Sequence, residues 1–409
     1  FPGLRIGVAE YPEGPTGATV FHFPDGVMAA VDVRGGAPGT VATDVLRLGY
    51  ESAFVDAISF AGGSSYGLAA AAGVAAELRD QRGSGDWGSI ATVPGAIIFD
   101  LGDRRFTTVT PDEALGRAAL RAARPGRFPL GPRGAGRFAT HSSYFGARQH
   151  SGQGGAFRRV GPTRVAVFTV VNALGTIVDR AGRVVRCAND AARDCGTAAD
   201  HLARHLERRT ALRADAEPPA AGPSRNTTIT LVVTDQKLDF WALQRLAVQV
   251  HTSMSRAIHP FHTENDGDVL FAVTTGQVEN RELRPVDLGV VASEVAWDAV
   301  LASVPALPAV NRTPARIDPR VLARYAGRYS FGPGAGLTFT RDGNRLFARA
   351  TGERAVYGFA RGERTELFPS SDTTFFSRNS RGDHLRFERD GSALVLNPGP
   401  WELPARRAR

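Results

Sequence analysis

The sequence predicts an α+β core followed by a small all-β domain. Two observations carry this. Residues 1–305 intersperse short β-branched runs with Ala- and Leu-rich helical stretches. Residues 306–319 form a Pro-containing linker, and from about residue 320 the chain turns to short apolar runs separated by Asp-Gly and Gly-Glu turns, the pattern of a small β-barrel-like or β-sandwich domain. A chain of 409 residues with 43% hydrophobic composition has room for both.

Taken in order, residues 19–23 and 27–33 read as two strands separated by a Pro24-Asp25-Gly26 turn. Arg34-Gly35-Gly36-Ala37-Pro38-Gly39-Thr40 reads as a loop. A strand at 56–60 runs into Gly62-Gly63-Ser64-Ser65, and an alanine-rich helix follows to about residue 79. Its N-terminus is either a capped turn or a set of free N–H groups suited to an anion, a carboxylate or an oxyanion. It is not a phosphate loop, because the Gly-Lys-Ser/Thr ending is missing. Residues 93–100 read as a strand and 111–124 as a helix. Residues 130–158 form a glycine-rich loop holding His141, Tyr144 and His150. The strand 164–171 delivers Asn172 at its end. An Arg-rich helix spans 197–208, and the linker 209–225, with Pro218, Pro219 and Pro223, is expected to be mobile. A strand at 228–234 precedes a helix at 238–258, whose Leu243, Leu246, Val250 and Met254 recur at three and four. A polar loop (259–268), a strand (269–275) and a helix (288–304) capped by Asp287, with Val291, Val295 and Leu301 on its apolar side, close the core. In the last domain the strand candidates are 337–341, 345–350, 366–368, 375–377, 384–389 and 393–396.

Composition excludes some functions. The net charge of +8 comes from a chain whose only lysine is Lys237, with arginines spread along its length. No basic patch interleaved with aromatics and no nucleic-acid motif is present, so no nucleic-acid partner is expected. No run of about 18 apolar residues occurs, so no membrane span is expected. Cys187 and Cys195 are too few for a zinc site and stand open between a short disulfide and two free thiols. The chain opens on Phe1, read as an engineered start or a removed export signal; an exported location, periplasmic or secreted, is expected ahead of a cytoplasmic one.

The chemistry centres on Arg225-Asn226-Thr227-Thr228, where the Pro/Ala/Arg linker meets a β-branched strand. The Thr227 hydroxyl can attack the Asn226 carbonyl, and hydrolysis of the resulting ester frees the Thr227 α-amine. That amine titrates at roughly 7.7–8.0 and can serve as the base for its own hydroxyl. Asn226 suits the preceding position because Asn tolerates unusual turn torsions. Asn172 is the candidate oxyanion donor. Asp266 and Asp268, flanking Gly267, are the candidate carboxylates and would share a face if extended. Gly62-Gly63-Ser64-Ser65 and the 130–158 loop are candidates for the pocket. Competing readings exist: Asn226-Thr227-Thr228 and Asn311-Arg312-Thr313 are also glycosylation sequons. His259, His262, Glu264, Asp266 and Asp268 could be taken for a metal cluster, although their spacing fits neither a His-Glu-x-x-His helix nor an EF-hand, and no metal or cofactor is expected.

Three ordered motifs carry a resemblance. Val31-Asp32-Val33-Arg34-Gly35-Gly36-Ala37-Pro38-Gly39-Thr40, then Gly62-Gly63-Ser64-Ser65-Tyr66-Gly67-Leu68, then Val171-Asn172-Ala173-Leu174-Gly175 resemble the DmpA-type aminopeptidases, self-cleaving N-terminal-nucleophile hydrolases, over about residues 1–305. Asn226-Thr227-Thr228 followed by Asp266-Gly267-Asp268 is similar to that family's nylon-oligomer hydrolase branch, which cleaves 6-aminohexanoate oligomers. The resemblance implies a four-layer αββα core and Thr227 as nucleophile. It also implies catalytic roles for Asp266 and Asp268, Asn172 near the oxyanion, two fragments that stay together, and homo-oligomers, commonly tetramers. Gly63, Ser64, Phe99 and Tyr144 are the substrate-side candidates. Two departures stand out: the family uses a lysine before the nucleophile, which this chain lacks, so that its role passes to an Arg, His141 or a water, or is absent; and Phe99 stands where that branch carries a tyrosine. From about residue 320 the chain resembles the small lipocalin-like domain that follows some β-lactamase-like hydrolases, through Tyr325-Ala326-Gly327-Arg328-Tyr329, Arg345-Leu346-Phe347 and Leu367-Phe368-Pro369. The expected activity is hydrolysis of linear amides or small peptides through an acyl-enzyme. The alternatives are a DmpA-type amino- or β-aminopeptidase, an unprocessed binding protein, and a metal-dependent hydrolase.

Overall fold

The computed structural model describes residues 1–47, 49–50, 53–83, 90–101, 107–146, 148–187, 194–213, 226–304, 306, 311–353, 355–356, 358, 359–378, 383–397 and 401–408. The expected mobile stretch of the linker, from residue 214 to 225, lies outside the described residues, as do positions 307–310 of the second linker.

In chain order the core holds β1 (Arg5–Tyr11), β2 (Thr16–Val33), β3 (Thr40–Val41), β4 (Phe54–Ala61), α1 (Ala69–Arg82), β5 (Gly95–Ile97) and α2 (Glu113–Arg121). Then come β6 (Thr140–His141), β7 (Gln149–His150), β8 (Gln153–Val160), β9 (Thr163–Asn172), β10 (Thr176–Ile177) and α3 (Ala198–Arg213). The last part has β11 (Thr227–Gln236), α4 (Phe240–Ser253), β12 (Ile258–His259), β13 (Val269–Val278) and α5 (Pro285–Ala302). One sheet runs β3-β5-β4-β2-β13-β11-β9-β8, with β1 also on β2.

That sheet folds on itself, and β2 is the reason. Its first half pairs with β1 and β4; its second half pairs with β13. The register shifts between His22 and Val27, and Gly26 adopts φ +68°. Pro24-Asp25-Gly26 is thus an irregularity inside one strand and not a turn between two. A missing N–H and a positive φ suit a bulge as well as a turn.

Side-chain alternation then builds four layers. Phe21, Phe60, Phe168, Ile229, Leu231, Val233, Phe271 and Val273 meet between the two half-sheets. The opposite face of one half, with Val20 and Ala61, packs on Val74 and Leu78 of α1 and Leu115 and Leu120 of α2. The opposite face of the other, with Val167, Val232 and Leu270, packs on Leu243, Leu246 and Val250 of α4 and on Leu288, Val295 and Ala299 of α5. The order is αββα.

Several elements differ from the sequence expectation. The Gly63 junction starts with a 3-10 turn, Ser64–Leu68, before α1, and no serine side chain caps it. β5 is shorter than 93–100, because Pro94 has no N–H to offer and the chain leaves the ladder as Ser64 N–H takes the Ile98 carbonyl (3.0 Å). The Arg-rich helix α3 runs on to Arg213. In α5, Arg284 and not Asp287 is the N-cap: Pro285 opens the helix, and Asp287 sits in the first turn, where a negative charge favours the helix dipole. Cys187 and Cys195 are disulfide-bonded.

After α6 (Pro319–Tyr325), eight strands close a barrel: β14 (Gly327–Gly332), β15 (Ala335–Asp342), β16 (Arg345–Thr351), β17 (Thr365–Pro369), β18 (Thr374–Ser377), β19 (His384–Phe387), β20 (Ala393–Leu396) and β21 (Leu403–Arg407). Tyr325, Tyr329, Phe339, Phe375 and Phe387 fill its interior. The barrel sits against the core: Phe138 joins its apolar cluster, and Trp401 stacks on His150 with centroids 4.4 Å apart. Among the described residues no helix is long and apolar enough to cross a membrane.

Candidate active site

The first residue of β11 lies between two neighbours. Antiparallel β9 places Asn172 opposite Thr227, and parallel β13 pairs from Ile229↔Val269 onward. The segment leading into β13 therefore runs beside the segment leading into β11. Asn226 and Asp266 form a parallel bridge: Asn226 N–H donates to the Asn265 carbonyl (3.1 Å), and Gly267 N–H donates to the Asn226 carbonyl (2.8 Å). The Thr227 hydroxyl donates to that same carbonyl oxygen at 2.5 Å. One peptide carbonyl thus carries a backbone donor and the hydroxyl of the next residue, and Asn172, Asn226, Thr227, Asp266 and Asp268 around it are all buried.

The two carboxylates are held differently. Asp266 accepts from Leu174 N–H (3.2 Å) and from the Thr263 hydroxyl (2.7 Å). Burial, and then the charge of Asp268, push its carboxyl up to about 7, against these hydrogen bonds. Asp268 accepts from Thr228 N–H (2.8 Å) on one oxygen and from His262 N–H (3.0 Å) and Nδ1 (3.1 Å) on the other. His262 adopts φ +58°, a strained torsion for a residue with a side chain, and this presents both donors to one oxygen. Behind it the His251 ring lies 4.2 Å away, centroid to centroid, with Nδ1 on Asp32 (2.9 Å). Burial keeps His251 below the ordinary imidazole range. Burial also acts to raise Asp32, but the His251 and Arg34 hydrogen bonds outweigh it, and its carboxyl lies low.

Glycines make this approach possible. Arg34 and Gly35 N–H both donate to the Asp268 carbonyl (3.1 and 3.2 Å), Gly36 N–H to Thr263 (3.1 Å) and Ala37 N–H to Asp266 (2.8 Å). A Cβ on Gly35 would lie 2.2 Å from Asp268 N, and one on Gly36 2.5 Å from the Glu264 carbonyl. A Cβ on Gly267 would lie 2.7 Å from Thr227 Oγ1. The Gly/Pro loop seen in the sequence is the platform under the two aspartates.

The other expected residues fall nearby with varied roles. The Asn172 amide ties β6 to the segment after β5, accepting from Thr140 N–H (3.1 Å) and donating to the Phe99 carbonyl (2.9 Å). The Asn226 carbonyl accepts from the Gly267 N–H. Gly63 and Ser64 are anchored to the same strand end as Phe99: Gly63 N–H donates to Asp100 (2.7 Å) and Ser64 N–H to Ile98 (3.0 Å). Those two N–H groups are therefore taken, contrary to the free-donor reading of the junction. Tyr144 follows Ser143, whose hydroxyl accepts from Asn226 Nδ2 (3.2 Å); Tyr144 N–H donates to Leu174 (3.0 Å), and its ring packs 4.7 Å from His205 of α3. His141, one residue from the Asn172 contact, is fully buried with Nδ1 on the Ser142 hydroxyl (2.8 Å). Burial, reinforced by Arg186, lowers it to about 3, so it is neutral. Ser143 and His251 carry no sequence signal that marks them for this site; His262 stands out only beside Asp266 and Asp268 in the metal reading, and Asp32 only within the Val31–Thr40 motif. Among the described residues no three His, Cys, Asp or Glu are grouped to hold a metal.

Comparisons with known proteins bear on the family and the fold. The profile of Peptidase family S58 matches residues 1–309. A 6-aminohexanoate-oligomer endohydrolase of Paenarthrobacter ureafaciens is 44% identical over 314 residues, 74% of this chain and 84% of that protein. A putative NylC-analogous protein of Agromyces sp. (strain KY5R) is 44% identical over 313 residues, 74% of this chain and 97% of that one. Among solved structures, a Burkholderia sp. beta-aminopeptidase aligns with TM-score 0.52 at 19% identity over 74% of this chain and 84% of that chain. The L-aminopeptidase D-Ala-esterase/amidase of Ochrobactrum anthropi, described as a variant of the Ntn hydrolase fold, aligns with TM-score 0.51 at 20% identity over 74% of this chain and 82% of that chain. The fold is that of an Ntn hydrolase with an added barrel, and the chain is an amide-bond hydrolase belonging to Peptidase family S58.

Proposed function

We propose that the chain is made as a precursor, cuts its own Asn226–Thr227 bond, and then uses Thr227 to hydrolyse linear amides. The observation that carries this is the Asn226 carbonyl, held by Gly267 N–H with the Thr227 hydroxyl beside it. In processing, Thr227 Oγ bonds to the Asn226 carbon, the C–N bond breaks, and the hydroxyl proton goes to the departing nitrogen. Water then cleaves the ester, leaving the Asn226 carboxyl and a free Thr227 amine and hydroxyl. In turnover that amine accepts the hydroxyl proton, Oγ attacks the substrate carbonyl, the leaving amine is protonated, and water releases the acyl group. Gly267 N–H stabilises the oxyanion in both reactions. Asp268, on the N–H of Thr228, fixes the start of the strand; Asp266 supplies a titratable carboxylate beside the scissile residue. Asn172 is the candidate second contact to the reacting carbonyl, with Gly63, Ser64, Phe99 and Tyr144 toward the substrate. The fragments stay together because β11 remains laddered between β9 and β13.

The substrate reading is linear amides such as 6-aminohexanoate oligomers, supported by the endohydrolase relative at 44% identity. A second reading, a β-aminopeptidase, draws on the fold shared with the Burkholderia enzyme. Assembly into a homo-oligomer, a tetramer in this reading, is consistent with Phe157 exposed on the edge strand β8 and is tested by light scattering. The discriminating experiment offers a linear 6-aminohexanoate oligomer with its amine acetylated. Internal cleavage, lost in Thr227→Ala, supports the first reading; cleavage only of the free-amine oligomer supports the second; hydrolysis by Thr227→Ala at the wild-type rate removes both.

A further inference from the structure

We propose that Ser143, with the backbone of residues 265–267, forms the acyl-side subsite and gives a modest preference to acyl chains bearing an amide N–H four bonds from the scissile carbonyl carbon, over otherwise accepted linear chains such as 6-aminohexanoyl, whose nitrogen lies six bonds away. This rests on the reading above that Thr227 is the nucleophile in both reactions. One hydroxyl and one amide donor define where a reacting carbonyl must sit. In the intact chain that place holds the Asn226 carbonyl, so the atoms on its acyl side trace the path of a substrate's acyl group.

The path is specific. Asn226 N–H meets the Asn265 carbonyl at 3.1 Å, the companion of the Gly267 bond in a parallel bridge. From the carbonyl carbon the side chain runs through Cα, Cβ and Cγ to Nδ2, four bonds away, and Nδ2 donates to Ser143 Oγ at 3.2 Å. Ser143 stands on fixed backbone: Ser142 N–H donates to Gly175 (2.7 Å) and Tyr144 N–H to Leu174 (3.0 Å). Asn226 is only 3% exposed, so water competes little for a donor placed there. A buried N–H left without an acceptor is penalised, and a CH₂ at that position leaves the Ser143 hydroxyl without its donor.

The test measures kcat/KM of the processed protein on two para-nitroanilides. One carries a 4-acetamidobutanoyl group, with the N–H in place; the other carries 6-oxoheptanoyl, with CH₂ instead. We expect the wild type to favour the first by about fivefold, the size of one neutral hydrogen bond. Ser143→Ala brings the ratio close to one and slows self-cleavage, and Ser143→Thr, which keeps a hydroxyl, restores the preference. An unchanged ratio in Ser143→Ala, with both probes hydrolysed, overturns the subsite while leaving Thr227 as nucleophile. Hydrolysis of neither probe by a wild type that has cut itself before Thr227 overturns the subsite as a place for substrate, whereas a wild type that stays uncut contradicts the nucleophile assignment itself and the subsite with it.

Discussion

Gly267→Ala is the smallest change that reaches the proposed nucleophile. The added methyl would sit 2.6 Å from the Ala37 carbonyl oxygen and 2.7 Å from Thr227 Oγ1. Ordinary contact begins at 3.4 Å, so the hydroxyl would have to retreat by about 0.7 Å, the difference of those two distances, or the loop would have to move away from Ala37 by a similar amount. The loop is pinned by four backbone hydrogen bonds to residues 34–37, so the hydroxyl is the part that yields. A misplacement of about 1 Å reduces rates by about 100-fold, and overpacking destabilises by about 1–3 kcal/mol. We therefore expect the variant to fold, to melt a few degrees lower, and to process tens to about 100 times more slowly. The assay follows the intact band over time on a denaturing gel beside a thermal melt. Processing at the wild-type rate with an unchanged melt would refute the packing argument.

Three further outcomes follow from the same geometry. Because the precursor has no free Thr227 amine, its processing rate should rise with pH through about 7, the range to which burial and Asp268 push Asp266, and plateau as the carboxylate forms; Asp266→Asn should lose that inflection and slow by about 100-fold, whereas a retained inflection assigns it elsewhere. His141 has a folded pKa near 3, below its unfolded value of 6.5, so its contribution is full above 6.5 and is lost as the pH falls from there toward 3. Between pH 6.5 and 5 that is about 2 kcal/mol, and denaturant melts of His141→Gln in the unprocessed Thr227→Ala background should show a drop smaller by this amount. Asp266, raised in the fold, stabilises at low pH and loses that contribution as pH rises through about 7, so the comparison with the His141 variant, not the raw curve, is diagnostic. Trp401→Ala removes the stack on His150 and should lower the melt by the equivalent of about 3 kcal/mol with processing retained; an unchanged melt would show that this contact does not hold the barrel on the core.

What the sequence makes legible here is local. The β-branched run after Asn226, the continuous apolar run of β9 and the three-and-four spacing of Leu243, Leu246 and Val250 each encode an element in consecutive residues. The barrel is legible because its turns recur between short apolar runs. What is not legible depends on partners far along the chain. Pro24-Asp25-Gly26 has the chemistry of a turn, and only pairing of β2 with both β4 and β13 makes it an irregularity in one strand. Gly35 and Gly36 look like loop residues until Glu264 and Asp268 lie on them. His251 reads as part of a helix face, yet it bonds Asp32, and His262 reads as loop polarity, yet it holds Asp268. The Ser64 junction looks open at its N-terminus because nothing local shows that Asp100 and Ile98 take its donors.

The most direct measurement is the intact mass and N-terminal sequence of the purified protein, beside Thr227→Ala. The account predicts two fragments meeting between Asn226 and Thr227, the second beginning at Thr227, and one uncut chain in the variant. A single uncut chain in both after long incubation at neutral pH, or a fragment beginning at any other residue, would contradict it.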